Sequence, residues 1–259
     1  MPPLPPGISL TKAEAKDVDE MHELGQRAFE PDTHTRLKEL VKGKPVFDDS
    51  HLDYLRSLLV HPRVEIVVAR DVDEDKVAGH AIWIRRNLDS SATEAATTIP
   101  TAPDTASPPQ QPPLPDHRPL TVADLEAITD QSMTEWDDFL SPPGVRCRAV
   151  AGVSVHPKYQ GRGIGGALMR RGFEKCDEDG VYCWVQTSMS SRGHYASAGF
   201  VEVGKLELDL DLFAEGHQVP ENLRNLTGGS ERWGKYVWTY MRRDPVSGVS
   251  GSVAAGVSG

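Results

Sequence analysis

The chain has 259 residues, 38% hydrophobic and 25% charged, an ordinary composition for a globular protein of one large domain or two small ones. Its formal net charge of −10 argues against a general nucleic-acid binder, which needs a basic face for phosphates, and suits a cationic partner such as an amine. No apolar run reaches the roughly 20 residues that cross a bilayer. The start Met1-Pro2-Pro3-Leu4-Pro5 does not read as a secretory signal, and the three scattered cysteines (Cys147, Cys176, Cys183) make neither a disulfide framework nor a zinc site. A reducing, cytoplasmic setting without a metal is expected.

Ile8 to Leu10 reads as a short strand, and Ala13 to Phe29 as a helix with Val18, Met21, Leu24 and Ala28 at helical spacing. Further helical turns are expected over Thr35 to Val41, stopped by Lys42-Gly43-Lys44-Pro45, and over His51 to Leu59. The β-branched run Val64 to Arg70 and the segment Val77 to Arg86 flank an acidic turn, Asp71 to Asp75, and predict a hairpin. That turn lacks the glycine and closing glutamate of a calcium loop.

From Ser90 to Pro119 the composition turns to Pro, Ser, Thr and Ala, with eight prolines that no regular helix or central strand accommodates. Residues 88–120 are therefore expected to be a disordered insertion, followed by an inserted helix over 121–140 that Ser141-Pro142-Pro143-Gly144 ends. Next come a strand at Arg148 to Val155, a helix at Gly163 to Asp179, a strand at Val181 to Thr187 and a short helix at Ser190 to Ala198. A long strand at Phe200 to Leu212 and a last one at Lys235 to Arg243 complete an α/β domain spanning 8–243, and the Gly/Ser/Ala/Val tail 245–259 is expected to be disordered.

The informative stretch is Val153-Ser154-Val155-His156-Pro157-Lys158-Tyr159-Gln160-Gly161-Arg162-Gly163-Ile164-Gly165-Gly166, a strand leading through a glycine-rich turn into a helix. Amides at a helix start have no intrahelical acceptor and carry the positive end of the helix dipole, and glycines let a phosphate approach them. A nucleotide-triphosphate loop would need Gly-Lys-Ser/Thr, where this chain has Gly165-Gly166-Ala167. A dinucleotide fold would place its first glycine directly after the strand, but His156 to Gln160 intervene, and the next strand ends in Gln186-Thr187 rather than an acid.

Gln160-Gly161-Arg162-Gly163-Ile164-Gly165, after a Val-x-Val-x-Pro strand ending, resembles the Gln/Arg-x-x-Gly-x-Gly/Ala signature of the GNAT superfamily of acetyl-CoA-dependent N-acetyltransferases. Downstream, Tyr195-Ala196-Ser197-Ala198-Gly199-Phe200 is similar to that family's Tyr-x-x-x-Gly-Phe. The resemblance covers Arg148 to about Leu210 and implies a mixed central sheet with flanking helices and strands splayed at its centre. It implies acetyl-CoA as donor, held by Val153, Ser154 and Val155 along its pantetheine arm and by Gln160, Gly161, Arg162, Gly163, Ile164 and Gly165 at its pyrophosphate. It also implies Tyr195 as the acid for the departing thiolate, although a purely packing tyrosine stays open, and Ser188 stands where many relatives carry Asn.

The implied reaction is acetyl transfer to an amine, small-molecule rather than protein, by direct attack on the thioester; a non-catalytic CoA-binding sensor is the alternative. Backbone amides of Ser154 or Val155 are candidate oxyanion donors. No base is assigned: the strand Ala149 to Val155 carries no acid, and Glu30, Asp32, His34, His80 and Trp83 read as solvated loop charges or ordinary half-buried strand residues before they read as functional ones. Lys158 and Arg162 are candidate phosphate partners, and the cysteines read as packing residues.

Overall fold

Seven strands form one mixed sheet in the order β1-β2-β3-β4-β5-β7-β6 in the computed structural model, which describes residues 4–88, 107–115 and 118–246. The strands are β1 (Ile8–Lys12), β2 (Val64–Asp71), β3 (Lys76–Arg86), β4 (Cys147–Val155), β5 (Cys183–Ser188), β6 (Val201–Asp209) and β7 (Lys235–Arg243). The helices are α1 (Val18–Phe29), α2 (Thr33–Lys42), α3 (Asp49–Val60), α4 (Val122–Leu140), α5 (Ile164–Asp179) and α6 (Met189–Ser197). Strands β1 to β4 are antiparallel neighbours, β4 and β5 are parallel, and β5, β7 and β6 are antiparallel again. The β2–β3 hairpin turns through Asp71 to Asp75 as expected, with the Asp71 carboxylate accepting from the amides of Asp73 and Glu74.

One face of the sheet is covered by α5 and α6, whose Ile164, Leu168, Phe173, Cys176 and Tyr195 pack with Val150, Val185 and Met241. The other face is covered in two halves. Helices α1 and α3 lie over β2 and β3, burying Met21, Leu24 and Leu55 against Ile66, Val68 and Ile82. Helices α2 and α4 lie over β4 to β7, burying Leu37, Leu125, Ile128 and Trp136 against Trp184 and Tyr240. The helical spacing of apolar residues read from the sequence is what supplies each of these stripes.

Several boundaries differ from the sequence expectation for identifiable local reasons. Helix α2 begins two residues early because the Asp32 carboxylate accepts from the Thr35 amide as an N-cap. Helix α4 starts at a reciprocal capping box between Thr121 and Asp124. The long strand expected to reach Leu212 stops at Asp209, whose carboxylate accepts from the Asp211 amide and opens a 3-10 turn, Leu210–Phe213. The expected strand at Val181 begins at Cys183 instead. Within the proline-rich stretch, residues 107–115 form neither helix nor strand; Pro112 is buried, Leu114 packs against the α4-side core, and Gln111 accepts from the Glu207 amide. The remainder of the expected insertion (89–106, 116–117) and the expected tail beyond 246 lie outside the described residues.

Candidate active site

The parallel ladder between β4 and β5 holds for only three pairs, Arg148↔Cys183, Ala149↔Trp184 and Val150↔Val185. Beyond it the strands diverge, leaving Ala151 to Val155 of β4 and Gln186 to Ser188 of β5 without each other as partners. A break in register on the other side of β4 marks the same point: Ile82 pairs with Gly152 and Trp83 with Val150, so Ala151 bulges out of the ladder. Buried or half-buried main-chain groups seek partners. The unpaired edge of β4 through Val153, Ser154 and Val155 is therefore a place for an extended ligand to add its own amides.

Directly after that edge, the Val155 carbonyl accepts from the Gln160 side chain at 3.0 Å, which folds the turn back on the strand end. Gly161 and Gly163 both adopt left-handed backbone (φ +74° and +82°), and a Cβ at either would meet no atom within 4 Å. The first intrahelical bond of α5 runs from the Ala167 amide to the Gly163 carbonyl, so the amides of Ile164, Gly165 and Gly166 open the helix without an intrahelical acceptor. Those amides, with the dipole of a 16-residue helix behind them, make a nest for a diphosphate, and the open space over the two glycines is where it would sit. Arg162 lies over the Tyr159 ring at 5.3 Å and has no carboxylate partner among the described residues. Lys158 does not wait for a phosphate: its ammonium is bonded to Glu74 at 2.5 and 2.7 Å, and the Tyr159 hydroxyl donates to the same carboxylate.

Tyr195, in the last turns of α6, is buried with its ring edge-on to Phe200 at 5.3 Å, and its hydroxyl has no hydrogen-bond partner among the described residues. Burial first, then the neighbouring Cys183 thiol, pushes its phenol well above the ordinary value. The phenol is therefore protonated throughout the physiological range, as a proton donor must be. Cys183 and Cys147 are buried, and burial raises both thiols. Neither has the lowered pKa of a nucleophile. Ser188 holds the N-cap position of α6, but its hydroxyl bonds Ser190 at 3.0 Å rather than capping the helix.

The candidates for the amine side separate clearly. Glu30 is an exposed residue at the end of α1. Trp83 is a core residue, its indole filling the place where a Cβ on Gly172 would stand, 2.1 Å away, and edge-on to Phe173. His80 is buried on the α1 and α3 face of β3, opposite Ser154 of β4, with Nδ1 lacking a partner. His34 and Asp32 are brought against β7 by α2, a juxtaposition spanning 204 positions that sequence reading did not find: the Tyr236 hydroxyl donates to Asp32 Oδ2 at 2.7 Å. A second polar cluster was equally invisible, with Tyr240 bonded to Ser132 of α4 and to Gln186 at the diverging end of β5, each at 2.9 Å. Its only sequence signal was polar residues inside otherwise apolar runs.

A family model described as the acetyltransferase (GNAT) domain matches residues 131–202, the segment that carries the splay, the glycine turn and Tyr195. A protein of Stachybotrys chartarum named an acetyltransferase is 29% identical over 213 residues, covering 80% of this chain and 86% of its own. Residues 131–202 therefore carry a GNAT acetyltransferase domain. Its fold agrees: arylalkylamine N-acetyltransferase 2 of Aedes aegypti superposes with a TM-score of 0.56 at 13% identity, over 92% of this chain and 98% of that one.

Acetyl-CoA is the donor that goes with the GNAT family. The residues present fit it: the glycine turn leaves open space where a diphosphate could lie, and β4 beyond Val150 has no β5 partner to compete with an amide-bearing arm. Among the described residues this acetyltransferase has no helix long and apolar enough to cross a membrane, and no group of three metal-binding side chains.

Proposed function

We propose that this GNAT enzyme transfers an acetyl group from acetyl-CoA to the amine of a small molecule by direct attack on the thioester. The observation that carries the reading is the coincidence, within the segment from β4 to α6, of an unpaired β4 edge, a glycine-opened helix start and a buried tyrosine. In this reading Val153, Ser154 and Val155 pair with the pantetheine arm. The amides from Gly161 to Gly165 hold the diphosphate, with Gln160 pinning the turn and Arg162 adding charge. The Val155 amide, on the side of β4 away from β3, stabilises the developing oxyanion, whereas Ser154 faces His80 of β3; Tyr195 hydrogen-bonds and protonates the departing sulfur. The three unpaired, buried cysteines support a reducing cytoplasmic setting.

Tyr195→Phe keeps the ring packing and removes only the hydroxyl. Turnover followed by free-thiol release is expected to fall about 100-fold, with coenzyme A affinity unchanged in calorimetry. Equal turnover of the variant would take Tyr195 out of the reaction. Coenzyme A binding with no thiol released for any amine would instead make the protein a CoA sensor. Gly163→Ala tests the nest. The new methyl has room in the empty turn, so the protein still folds, with about 1–2 kcal/mol of left-handed strain. The methyl stands where the diphosphate is placed, so coenzyme A affinity drops at least about tenfold, roughly 1.4 kcal/mol. Wild-type affinity in this variant would move the diphosphate elsewhere.

A further inference from the structure

On the sheet face opposite α5, three rings and one carboxylate converge beside the end of β5. His34 lies 5.2 Å from the Tyr236 ring and 5.6 Å, edge-on, from the Trp238 ring, and Tyr236 and Trp238 are 5.2 Å apart. Asp32 accepts the Tyr236 hydroxyl with one oxygen and the Thr35 amide with the other. Trp238 pairs across the ladder with Ser188, the residue that leads into α6 and hence to Tyr195. The cluster thus borders the mouth of the splay from the side away from the glycine turn.

Two polar atoms of this cluster, His34 Nε2 and Trp238 Nε1, are buried and have no hydrogen-bond partner among the described residues. His34 itself is only 5% exposed. A buried polar atom without a partner is costly and rare, and an imidazole nitrogen left open beside an active site calls for a donor such as an ammonium; the Trp238 indole N–H, itself a donor, is not satisfied by that group. The carboxylate and the ring faces select the ligand's charge: a cation gains from Asp32 and from the π-faces of Tyr236 and Trp238. Asp32 is the only carboxylate of the cluster among the described residues, and Glu126, whose charge also acts on His34, is already bonded to Lys42 and Lys38. One carboxylate among rings suits a single ammonium on a flat apolar body better than a polycation.

We infer that the Asp32–His34–Tyr236–Trp238 cluster is the acceptor subsite, that it takes a primary monoamine on an aromatic or apolar body, and that His34 Nε2 removes the ammonium proton. The inference rests on the acetyl-transfer reading above. The ammonium gives one proton to His34. The freed nitrogen lone pair attacks the thioester carbon, the carbon–sulfur bond breaks, and the second nitrogen proton ends on the sulfur. The products are the amide, free coenzyme A thiol and one proton carried by His34 to solvent. Burial, then the Lys38 charge, holds His34 down to about 4 against the opposing pull of Asp32 and Glu126, so the imidazole is neutral at every physiological pH and takes the ammonium proton only transiently, uphill, as the nitrogen attacks.

The probes are 2-phenylethylamine and spermidine with acetyl-CoA, read as free thiol, alongside calorimetry of coenzyme A. Wild type is expected to favour 2-phenylethylamine at least about tenfold in kcat/KM, with a value flat between pH 6 and 8 because the bound ammonium is deprotonated in place. His34→Gln is expected to lower that kcat/KM about 100-fold at pH 7 while leaving the KM for acetyl-CoA unchanged. It should also make the profile climb about tenfold per pH unit, since only free amine then reacts. Tyr236→Phe, which keeps the ring, is the second variant and is expected to change the amine KM several-fold with coenzyme A affinity intact. Spermidine matching or exceeding 2-phenylethylamine, a flat profile in His34→Gln, or an unchanged amine KM in Tyr236→Phe overturns this inference alone. A wild type that binds no coenzyme A overturns it together with the acetyl-transfer reading.

Discussion

Acidification from pH 7 to pH 5 is expected to destabilise the protein by about 4 kcal/mol, through histidines that are buried neutral. Burial pushes His80 down to about 4, with the His51 charge adding to it, and His34 falls to the same range. In the unfolded chain both return to 6.5, so between 6.5 and 4 the unfolded state binds protons that the native state refuses. The stabilisation is complete above pH 6.5 and is lost as pH falls toward 4. One pKa unit corresponds to about 1.4 kcal/mol, so at pH 5 each histidine has lost roughly 2 kcal/mol and near pH 4 roughly 3. His51 is lowered as well, by burial and by the His22 ring whose Nδ1 lies 2.9 Å away, but it is only half buried and its share is discounted for solvent screening. For a chain of this size the midpoint of thermal unfolding should drop on the order of 10 °C between pH 7 and pH 5. His80→Leu, at a site among Val68 and Ile82, should remove about half of that dependence. A melting temperature flat over this range would mean that neither imidazole is buried as described.

These histidines show where sequence reading stops. His80 sits in the run Val77 to Arg86 and is recognisably a strand residue, but nothing local says that it faces α1 and α3 rather than solvent. His34 was visible only as one of several polar residues after α1, because its partners lie on β7 at the far end of the chain. The donor side was legible for the opposite reason. The β4 ending, His156-Pro157, Gly161 and Gly163 build the turn from neighbouring residues, each with a backbone role that its type announces. The bulge at Ala151 and the three-pair ladder of β4 and β5 depend on strands from three separate segments, so the splay entered through family resemblance and not through the residues alone. The early end of β6 was legible in principle, since Asp209 and Asp211 are turn-forming residues. Asp211 goes on to accept from the amides of Trp233 and Gly234 and from Arg232, which orders the return into β7.

The helix that reads as an insertion is expected to be part of the core, and Trp136→Ala should show it with a loss of about 3–5 kcal/mol. Trp136 of α4 is 2% exposed and stacks on Tyr240 of β7 with 4.6 Å between centroids and 13° between planes. Its indole edge occupies the space above Gly204 of β6, where a Cβ would come within 2.1 Å. A glycine in a strand interior has little else to recommend it, so the ring and the glycine fit as a lock. The same helix gives Ser132 to Tyr240, whose hydroxyl also receives the Gln186 amide at the diverging end of β5. Removing the indole therefore opens a cavity beside the splay as well as loosening α4. The check is urea unfolding followed both by far-UV signal and by free-thiol accessibility of Cys183, which is fully buried in β5. If α4 is integral, wild type and variant each unfold in one transition seen alike by both probes, and the variant's midpoint falls without a change in slope. If α4 were an appended helix, Trp136→Ala would shed helical signal first while Cys183 stayed protected to the wild-type midpoint. The stacking on Tyr240 and the closeness of Gly204 make the single transition the expected result, and they tie the inserted helix to the strands that diverge to form the site.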